Sequence, residues 1–391
     1  MRKKKLAGIF VSFMLAAGVL AGCGGASSTS GEKDDETIKI GANLELSGGV
    51  ASYGQSIEEG LKLAIEEINK DGIDGKKIEL VTFDNKSDAA EATNGAIKLI
   101  SQDKVSAIIG AATSTNTLAQ VEIAQKNKTP LITPTGTNST ITSKDGVLND
   151  FVFRTCFIDP FQGTVAANFA SSDLKVKNAA IIIDSSSDYS KGLAASFQKS
   201  FEGNGGKIVA EEAYVAKDTD FNAILTNIKA KNPEFVFLPG FYEEVGLIIK
   251  QARALGIDAP IMGGDGWDSP TLIDIAGADP LNNTFITNHY SSGDSDPKVQ
   301  DFVKAFEGKY DGKSPDAFAA LGYDTAYFIA DAIKRAGSGD PEKLKKALEE
   351  TDGLGLVSGD LKLDKNHDPI KAAVILEYKG GKQEFNTKVN P

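Results

Sequence analysis

Residues 105–120 read VSAIIGAATSTNTLAQ, which is a strand, a polar turn and the start of a helix in one stretch. Val105–Ile109 is an apolar run typical of a buried strand. The hydroxyl groups of Thr113, Ser114 and Thr115 follow, at the point where the helix is expected to begin. A strand that leads directly into a helix is the repeating unit of a parallel α/β sheet. Ligands bind at such turns because the first N–H groups of the helix are unpaired.

The same alternation of apolar runs and amphipathic stretches continues from Thr37 through most of the chain. It predicts strands at 38–44, 78–83, 105–109, 131–133, 179–183, 207–215, 235–238, 261–262 and 284–287. Strands that alternate with helical patterns indicate parallel sheets covered by helices on both faces. Because 391 residues exceed a typical single domain, we expect two such lobes.

Two segments depart from this alternation. FVFRTCFIDP, residues 151–160, interrupts it, and we interpret this segment as the passage from one lobe to the other. The tail predicts helices at 297–310, 318–336 and 341–350, then strands within 359–364 and 372–380. A chain that has already built two lobes is expected to use such a tail to complete both.

The amino terminus, MRKKKLAGIFVSFMLAAGVLAGC, has the basic, apolar and small-residue regions of a secretory signal. Its ending, Leu20 to Cys23, resembles the bacterial lipobox, which implies cleavage after residue 22 and a diacylglycerol on the Cys23 thiol. An uncleaved membrane helix is the alternative, but the apolar run 6–22 is barely long enough to span a bilayer. Residues 23–36 predict a flexible tether. We therefore expect an exported protein, lipid-anchored to the outer face of the cell membrane.

Charge and cysteine content exclude several classes of partner and site. The net charge is −12, and loss of Arg2 and Lys3–Lys5 with the signal changes it to −16, which argues against nucleic acid as a partner. Once Cys23 carries lipid, Cys156 is left without a second cysteine for a disulfide. Its apolar context favours an inert buried thiol over a catalytic one.

Short hydrogen-bond donors follow three predicted strands of the first lobe. They are Ser47, Gly48, Ser52 and Tyr53 after the first strand, Thr113, Ser114 and Thr115 after the third, and Thr135, Gly136 and Thr137 after the fourth. Helix capping explains one such residue per helix. Because these clusters exceed what capping needs, we favour a site for an anion such as a carboxylate.

The corresponding strand ends of the second lobe carry aromatic rings and an acid: Tyr189, Phe241, Tyr242, Asp265 and Trp267. Aromatic faces with a carboxylate suit a cation and an apolar side chain. The aromatic rings could equally pack the edge of the lobe, and Asp265 could equally form a turn. Together the two lobes predict a zwitterionic α-amino acid as the ligand.

The stretches IGANLELSGGVASYG, IIGAATSTNTLAQ, PLITPTGTN, FVFRTCFIDPFQG, FLPGFYEEVGLIIKQARALG and GGDGWDSP, in this order, resemble the leucine/isoleucine/valine-binding proteins of bacterial ABC importers. The resemblance implies a type I periplasmic-binding fold, in which two lobes joined by three crossings close over a small ligand. It implies lobe 1 at 37–158 and 289–362, and lobe 2 at 159–288 and 363–391. It also implies an ABC permease as partner, no cofactor or metal, and a monomer.

The resemblance further assigns roles to individual residues. It implies that Ser114 and Thr137 hold the ligand carboxylate, that the Thr135 carbonyl and Asp265 hold the ammonium, and that Tyr53, Tyr189, Phe241 and Tyr242 line the pocket, with Thr115 beside them. Ser47, Trp267 and Tyr323 are further candidates, although packing is the favoured interpretation for Tyr323. The chain departs from the family at Glu45, where Pro is common, at Asp265, where Glu is usual, and at Phe241, where Tyr is usual.

Catalysis has no support in the sequence. The chain lacks a Gly-x-Ser-x-Gly elbow and has only two histidines, His289 and His367. DKNHDP, from Asp364, starts like a calcium loop but has Pro369 where that loop needs Gly. Two binding alternatives remain open: a receptor that reports ligand to a sensor, and a ligand of another class, such as an amide, urea or an aromatic acid.

Overall fold

The computed structural model describes residues 37–391. The predicted signal peptide (1–22), tether (23–36) and lipidated Cys23 lie outside the described residues. Among residues 37–391, no helix combines the length and the apolar character needed to cross a membrane.

The strands and helices alternate as the sequence predicts. The strands are β1 Thr37–Leu44, β2 Lys77–Asp84, β3 Ala107–Gly110, β4 Leu131–Thr133, β5 Ser143–Lys144, β6 Val147–Leu148, β7 Val152–Arg154, β8 Asn178–Asp184, β9 Lys207–Tyr214, β10 Phe235–Phe237, β11 Ile261–Gly263, β12 Thr284–Asn288, β13 Asp352–Leu356, β14 Gly359–Lys362, β15 Ala373–Lys379 and β16 Lys382–Val389. The helices are α1 Ala51–Asp71, α2 Ala89–Lys98, α3 Ser114–Asn127, α4 Asp159–Asn168, α5 Asp188–Gly203, α6 Asn222–Ala230, α7 Tyr242–Ala254, α8 Pro270–Ala276, α9 Pro297–Lys309, α10 Ala317–Ala336 and α11 Pro341–Glu349.

Two sheets organise the chain, and we name the parts built on them lobe 1 and lobe 2. The sheet of lobe 1 has five parallel strands in the order β2-β1-β3-β4-β7. The sheet of lobe 2 has seven strands in the order β16-β15-β12-β11-β10-β8-β9, of which the last five are parallel. The predicted two-lobed α/β class is therefore present.

An antiparallel pair at the edge of lobe 2 differs from the parallel sheet that we expected. β15 runs antiparallel to β12, and β16 pairs with β15. β16 was not predicted because its sequence, KQEFNTKV, is mostly exposed and lacks an apolar face. β16 forms because β15 exposes an edge of unpaired backbone N–H and C=O groups. The sequence of β16 gives no signal of that edge.

The chain passes between the two sheets three times. It leaves lobe 1 after β7, returns after β12, and enters lobe 2 again to form β15. α10, from the returning segment, packs along α1. The two helices approach closely at Gly60 and Gly322: a β-carbon at Gly60 would overlap the Ala319 carbonyl, and one at Gly322 would overlap that of Ile57.

Candidate ligand-binding site

A cavity lies between the lobes, at the carboxyl ends of both sheets. Its lining residues are Tyr53, Ala112, Thr113, Ser114, Thr135 and Phe318 from lobe 1, and Tyr189, Phe241, Asp265 and Gly266 from lobe 2. Several of them stand at helix starts, because each parallel strand ends at this edge and the next helix begins there. Six of the nine residues that we predicted to bind ligand are therefore brought together.

The hydroxyl cluster that opens α3 does meet an anion, but the anion is a side chain of the protein. The fully buried carboxylate of Glu45 accepts hydrogen bonds from Ala112 N (2.8 Å), Thr113 N (3.1 Å), Thr113 Oγ1 (2.9 Å) and Asn116 Nδ2 (2.8 Å). Thr113 is therefore not a free donor, contrary to our expectation for the cluster. Sequence reasoning noted Glu45 only as a departure from the family.

The other two hydroxyl groups of the cluster have different surroundings. Ser114 lines the cavity, and its Oγ accepts a hydrogen bond from Asn138 N (3.1 Å). Thr115 faces lobe 2 instead, where its Oγ1 lies 3.2 Å from Asp188 Oδ2. Ser114 is therefore placed to meet a ligand, whereas Thr115 is placed to join the lobes.

Thr137 carries a buried hydroxyl group that is unpaired within the part of the chain that the structure describes. Arg154 holds the backbone on both sides of it: Nη1 donates to Gly136 O (2.8 Å) and Nη2 to Asn138 O (2.9 Å). The Arg154 Nε atom lies 2.8 Å from Asp368 Oδ1, near the third passage between the lobes. A buried hydroxyl in a fixed segment is a preformed donor or acceptor for a ligand.

Asp265 is buried, and both of its carboxylate oxygens have partners, one in lobe 2 and one just after β12, where the chain returns to lobe 1. Tyr189 Oη donates to Oδ1 (2.9 Å), and His289 Nε2 lies 3.0 Å from Oδ2. Burial lowers the pKa of His289, although Asp265 opposes this shift. The ring is therefore neutral near pH 7 and leaves the carboxylate charge uncompensated. The sequence analysis did not identify this partner, whose only signal was a histidine two residues after a predicted strand.

Aromatic rings cover the apolar part of the cavity. Tyr53 stacks on Phe318, with ring centroids 4.1 Å apart, and Phe241 stacks on Tyr189 at 5.4 Å. Tyr242 lies behind Tyr53 rather than in the cavity, with an edge-to-face contact at 5.1 Å. Phe241 therefore supplies a flat apolar face without a hydroxyl group.

Three further candidates lie away from the cavity. Trp267 is fully buried in lobe 2, where its Nε1 finds a partner in Leu238 O (3.0 Å). Tyr323 donates to Glu67 Oε2 (2.6 Å) on α1, and Ser47 donates to Asp84 Oδ2 (2.6 Å) beyond β2. Each polar group is satisfied inside one lobe, and none of the three residues lines the cavity.

The lobes contact each other around the cavity. Tyr53 Oη donates to Gly266 O, Ser52 Oγ lies 2.8 Å from Ser269 Oγ, and Asn138 Nδ2 donates to Asp188 O (2.8 Å). These bonds join residues from both sheets, so the structure describes the closed arrangement of the lobes. Within residues 37–391 there is no cluster of three or more His, Cys, Asp or Glu that could hold a metal ion.

The chain matches the periplasmic binding protein family over residues 37–383. A leucine-, isoleucine-, valine-, threonine- and alanine-binding protein of Pseudomonas aeruginosa is 32% identical over 355 residues, which cover 90% of this chain and 92% of the relative. Two solved structures are similar. The leucine binding protein LivK of Thermotoga maritima is 38% identical, with a TM-score of 0.86, and the match covers 90% of this chain and 99% of LivK.

The second structure is the branched-chain amino acid transporter substrate binding protein LivJ of Streptococcus pneumoniae, in complex with isoleucine. It is 40% identical with a TM-score of 0.85, and the match covers 91% of this chain and 100% of LivJ. The predicted family and fold class are thereby confirmed. The chain belongs to the periplasmic binding protein family, and it is an extracytoplasmic binding protein and not an enzyme.

Proposed function

We propose that this protein binds a free α-amino acid with an apolar side chain, most simply a branched-chain one, and delivers it to an ABC permease. The observation that carries this proposal is the opposition of polar groups across one cavity. Lobe 1 presents Ser114 and lobe 2 presents the carboxylate of Asp265. The unpaired, buried hydroxyl of Thr137 stands next to Asn138, whose N–H donates to Ser114 Oγ. A zwitterion satisfies both sides at once.

The charge on Asp265 supports a cationic group in the ligand. A buried carboxylate without a cation is costly, and His289 beside it is neutral. An ammonium next to Asp265 and the Thr135 carbonyl supplies the missing charge. The ligand carboxylate then meets Ser114 and Thr137, where each charge-assisted hydrogen bond contributes roughly 1.5 to 3 kcal/mol.

The aromatic lining supports an apolar side chain. Tyr53, Phe318, Tyr189 and Phe241 present ring faces around the cavity, and ring faces give apolar contact without further charge. LivJ of Streptococcus pneumoniae, with isoleucine bound, is similar over nearly the whole chain. We therefore infer leucine, isoleucine or valine as the first ligands to test.

The proposal also covers the two lobes, the oligomeric state and the location of the protein. The lobes comprise 37–158 with 289–362, and 159–288 with 363–391, and they close as a monomer over the ligand. Contact with both lobes is what makes a ligand stabilise the closed form. Cleavage before Cys23 and lipid on its thiol hold the protein on the outer face of the membrane, beside the permease.

Isothermal titration calorimetry tests the ligand class. We expect leucine, isoleucine or valine to bind, and 4-methylpentanoate, which is leucine without its amino group, to bind at least 10-fold more weakly because Asp265 then has no cation. Asp265→Asn is expected to weaken leucine binding by roughly 1.5 to 3 kcal/mol. Asp274→Asn, an exposed residue of α8, is the matched control. Equal affinity for leucine and 4-methylpentanoate contradicts the assignment of the ammonium site.

A further inference from the structure

Asp159, the first residue of α4, is a buried acid that the proposed site has not used. It is 1% exposed, and neither carboxylate oxygen has a hydrogen-bond partner among residues 37–391. Its backbone N–H donates to Thr137 O (2.9 Å), which places it directly beside the segment that carries the unpaired Thr137 hydroxyl. The hydroxyl faces this carboxylate and acts on its pKa, but the two do not meet with hydrogen-bond geometry.

The groups around Asp159 come from both lobes. A β-carbon at Gly192, on α5, would lie 3.2 Å from Asp159 Oδ2, so the glycine leaves space beside the carboxylate. The charged or titratable groups that act on it are Asp265, Arg154 and Tyr189. The Arg154 guanidinium is already bound to Gly136 O, Asn138 O and Asp368. Asp159 therefore has charged neighbours, but no cation within residues 37–391 forms an ion pair with it.

Two unpaired polar groups side by side in a buried place indicate a missing partner. Buried polar groups in folded proteins are almost always hydrogen-bonded, and a buried carboxyl group without a partner is costly. An ammonium group has three N–H donors. Asp265, whose two oxygens also receive Tyr189 and His289, and the Thr135 carbonyl provide acceptors for two of these donors, so one acceptor remains to be identified.

We propose that Asp159 is a second acidic partner for the ammonium group of the ligand, which it binds together with Asp265. This inference rests on the proposed function, because it assigns another residue to the same amino acid. The geometry that carries it is the buried, unpaired carboxylate of Asp159 at the passage between the lobes, with its N–H bonded to Thr137 O and the side-chain-free Gly192 beside it.

The role proposed for Asp159 requires its carboxyl group to lose a proton when the ligand binds. Burial raises the pKa of Asp159 to about 8, the charge on Asp265 also raises it, and the Thr137 hydroxyl and Arg154 lower it. In the closed arrangement without ligand, the carboxyl group therefore holds a proton below about pH 8. An adjacent ammonium favours the carboxylate, so binding transfers this proton to the buffer while the ligand keeps its own three.

Calorimetry of leucine binding in buffers of different ionisation enthalpy measures the number of protons released per leucine bound. With the wild-type protein at about pH 6.5 we expect about one proton released per leucine. We also expect affinity to rise about 10-fold per pH unit below pH 8 and to level off above it. His289 stays neutral over this range, because burial keeps its pKa low.

Two variants assign the proton to its residue. Asp159→Asn is expected to release no proton and to bind leucine at least 10-fold more weakly at pH 8.5, where the wild-type carboxylate is ionised. Asp324→Asn is the matched control, since Asp324 is also fully buried but accepts bonds from Val357 N (2.8 Å) and Ser358 N (2.9 Å) in lobe 1. It is expected to release the same proton as the wild type.

The outcomes separate this inference from the proposed function. If leucine, isoleucine and valine all fail to bind the wild type, the proposed function fails. If they bind without proton release at pH 6.5, or if Asp159→Asn releases the proton too, Asp159 is not an ammonium partner although the function stands. The proton count and the pH profile of the wild type decide the matter even if Asp159→Asn does not fold.

Discussion

Glu45 is a buried acid that forms no ion pair within residues 37–391, and hydrogen bonds hold its carboxylate. Its carboxylate gathers the N–H groups of Ala112 and Thr113 and the side chains of Thr113 and Asn116. These donors stand at the start of α3, where the partial positive charge of the helix favours an anion. The carboxylate thus fixes the backbone that leads to Ser114 in the cavity.

Glu45→Ala is expected to lower the free energy of unfolding by roughly 2 to 4 kcal/mol, because several buried donors lose their acceptor together. Urea denaturation followed by circular dichroism measures this change. Glu122→Ala, at an exposed position of the same helix, is the control and is expected to change stability by less than about 0.5 kcal/mol. A similar stability for both variants would show that Glu45 does not organise the start of α3.

The sequence predicts the positions of some site residues but not the long-range contacts that their side chains make. The position of Ser114 at a helix start follows from local pattern, and the structure places it in the cavity. The partnership of Thr113 with Glu45 joins residues 68 positions apart, and that of Asp265 with His289 depends on how the second passage meets lobe 2. Tertiary contacts of this kind leave no periodic signal in the sequence.

Among the elements, the segment from β7 to α4 connects the binding groups to the passages between the lobes. Sequence reasoning identified it as the first crossing but gave its side chains no role. In the structure Arg154 braces the backbone around Thr137 and contacts Asp368 near the third passage. The burial of a guanidinium is not evident from FVFRTCFIDP, whose pattern indicates only an apolar segment.

Arg154→Lys is expected to weaken leucine binding by about 10-fold, because a single ammonium nitrogen cannot occupy the three positions from which Nη1, Nη2 and Nε contact Gly136 O, Asn138 O and Asp368. Titration calorimetry measures the affinity. Arg253→Lys is the control, since Arg253 also bonds to several carbonyl groups, including those of Ile257 and Ala259, but lies at the outer end of lobe 2. An equal loss of affinity in both variants would indicate general destabilisation rather than support of Thr137.

Closure depends on contacts between the lobes as well as on the ligand. Tyr53 Oη donates to Gly266 O and lies 3.3 Å from Tyr242 N, so one hydroxyl group of lobe 1 bonds to lobe 2 at two points. The alternation of strands and helices predicts two lobes and a cleft. It does not predict which hydroxyl groups join them, because that depends on the angle between the lobes.

Tyr53→Phe is expected to weaken leucine binding by about 5-fold, because the closed form loses about 1 kcal/mol relative to the open one. Small-angle X-ray scattering should show a larger radius of gyration for the variant than for the wild type at the same leucine concentration. Tyr310→Phe removes a hydroxyl group that donates to Glu59 O inside lobe 1 (2.8 Å), and it should leave both measurements unchanged. Unchanged affinity in Tyr53→Phe would exclude this hydroxyl group from closure.

The close approach of α1 and α10 at Gly60 and Gly322 limits the ways in which lobe 1 can move during closure. Helices in backbone contact leave no layer of side chains that could rearrange, so sliding of one along the other is obstructed. Ser52 and Tyr53, at the start of α1, therefore travel with lobe 1 as a rigid unit. The lobe movement that the proposed function requires is then a rotation absorbed by the three connecting segments, and this rotation is the route by which the proposed permease would act on the ligand.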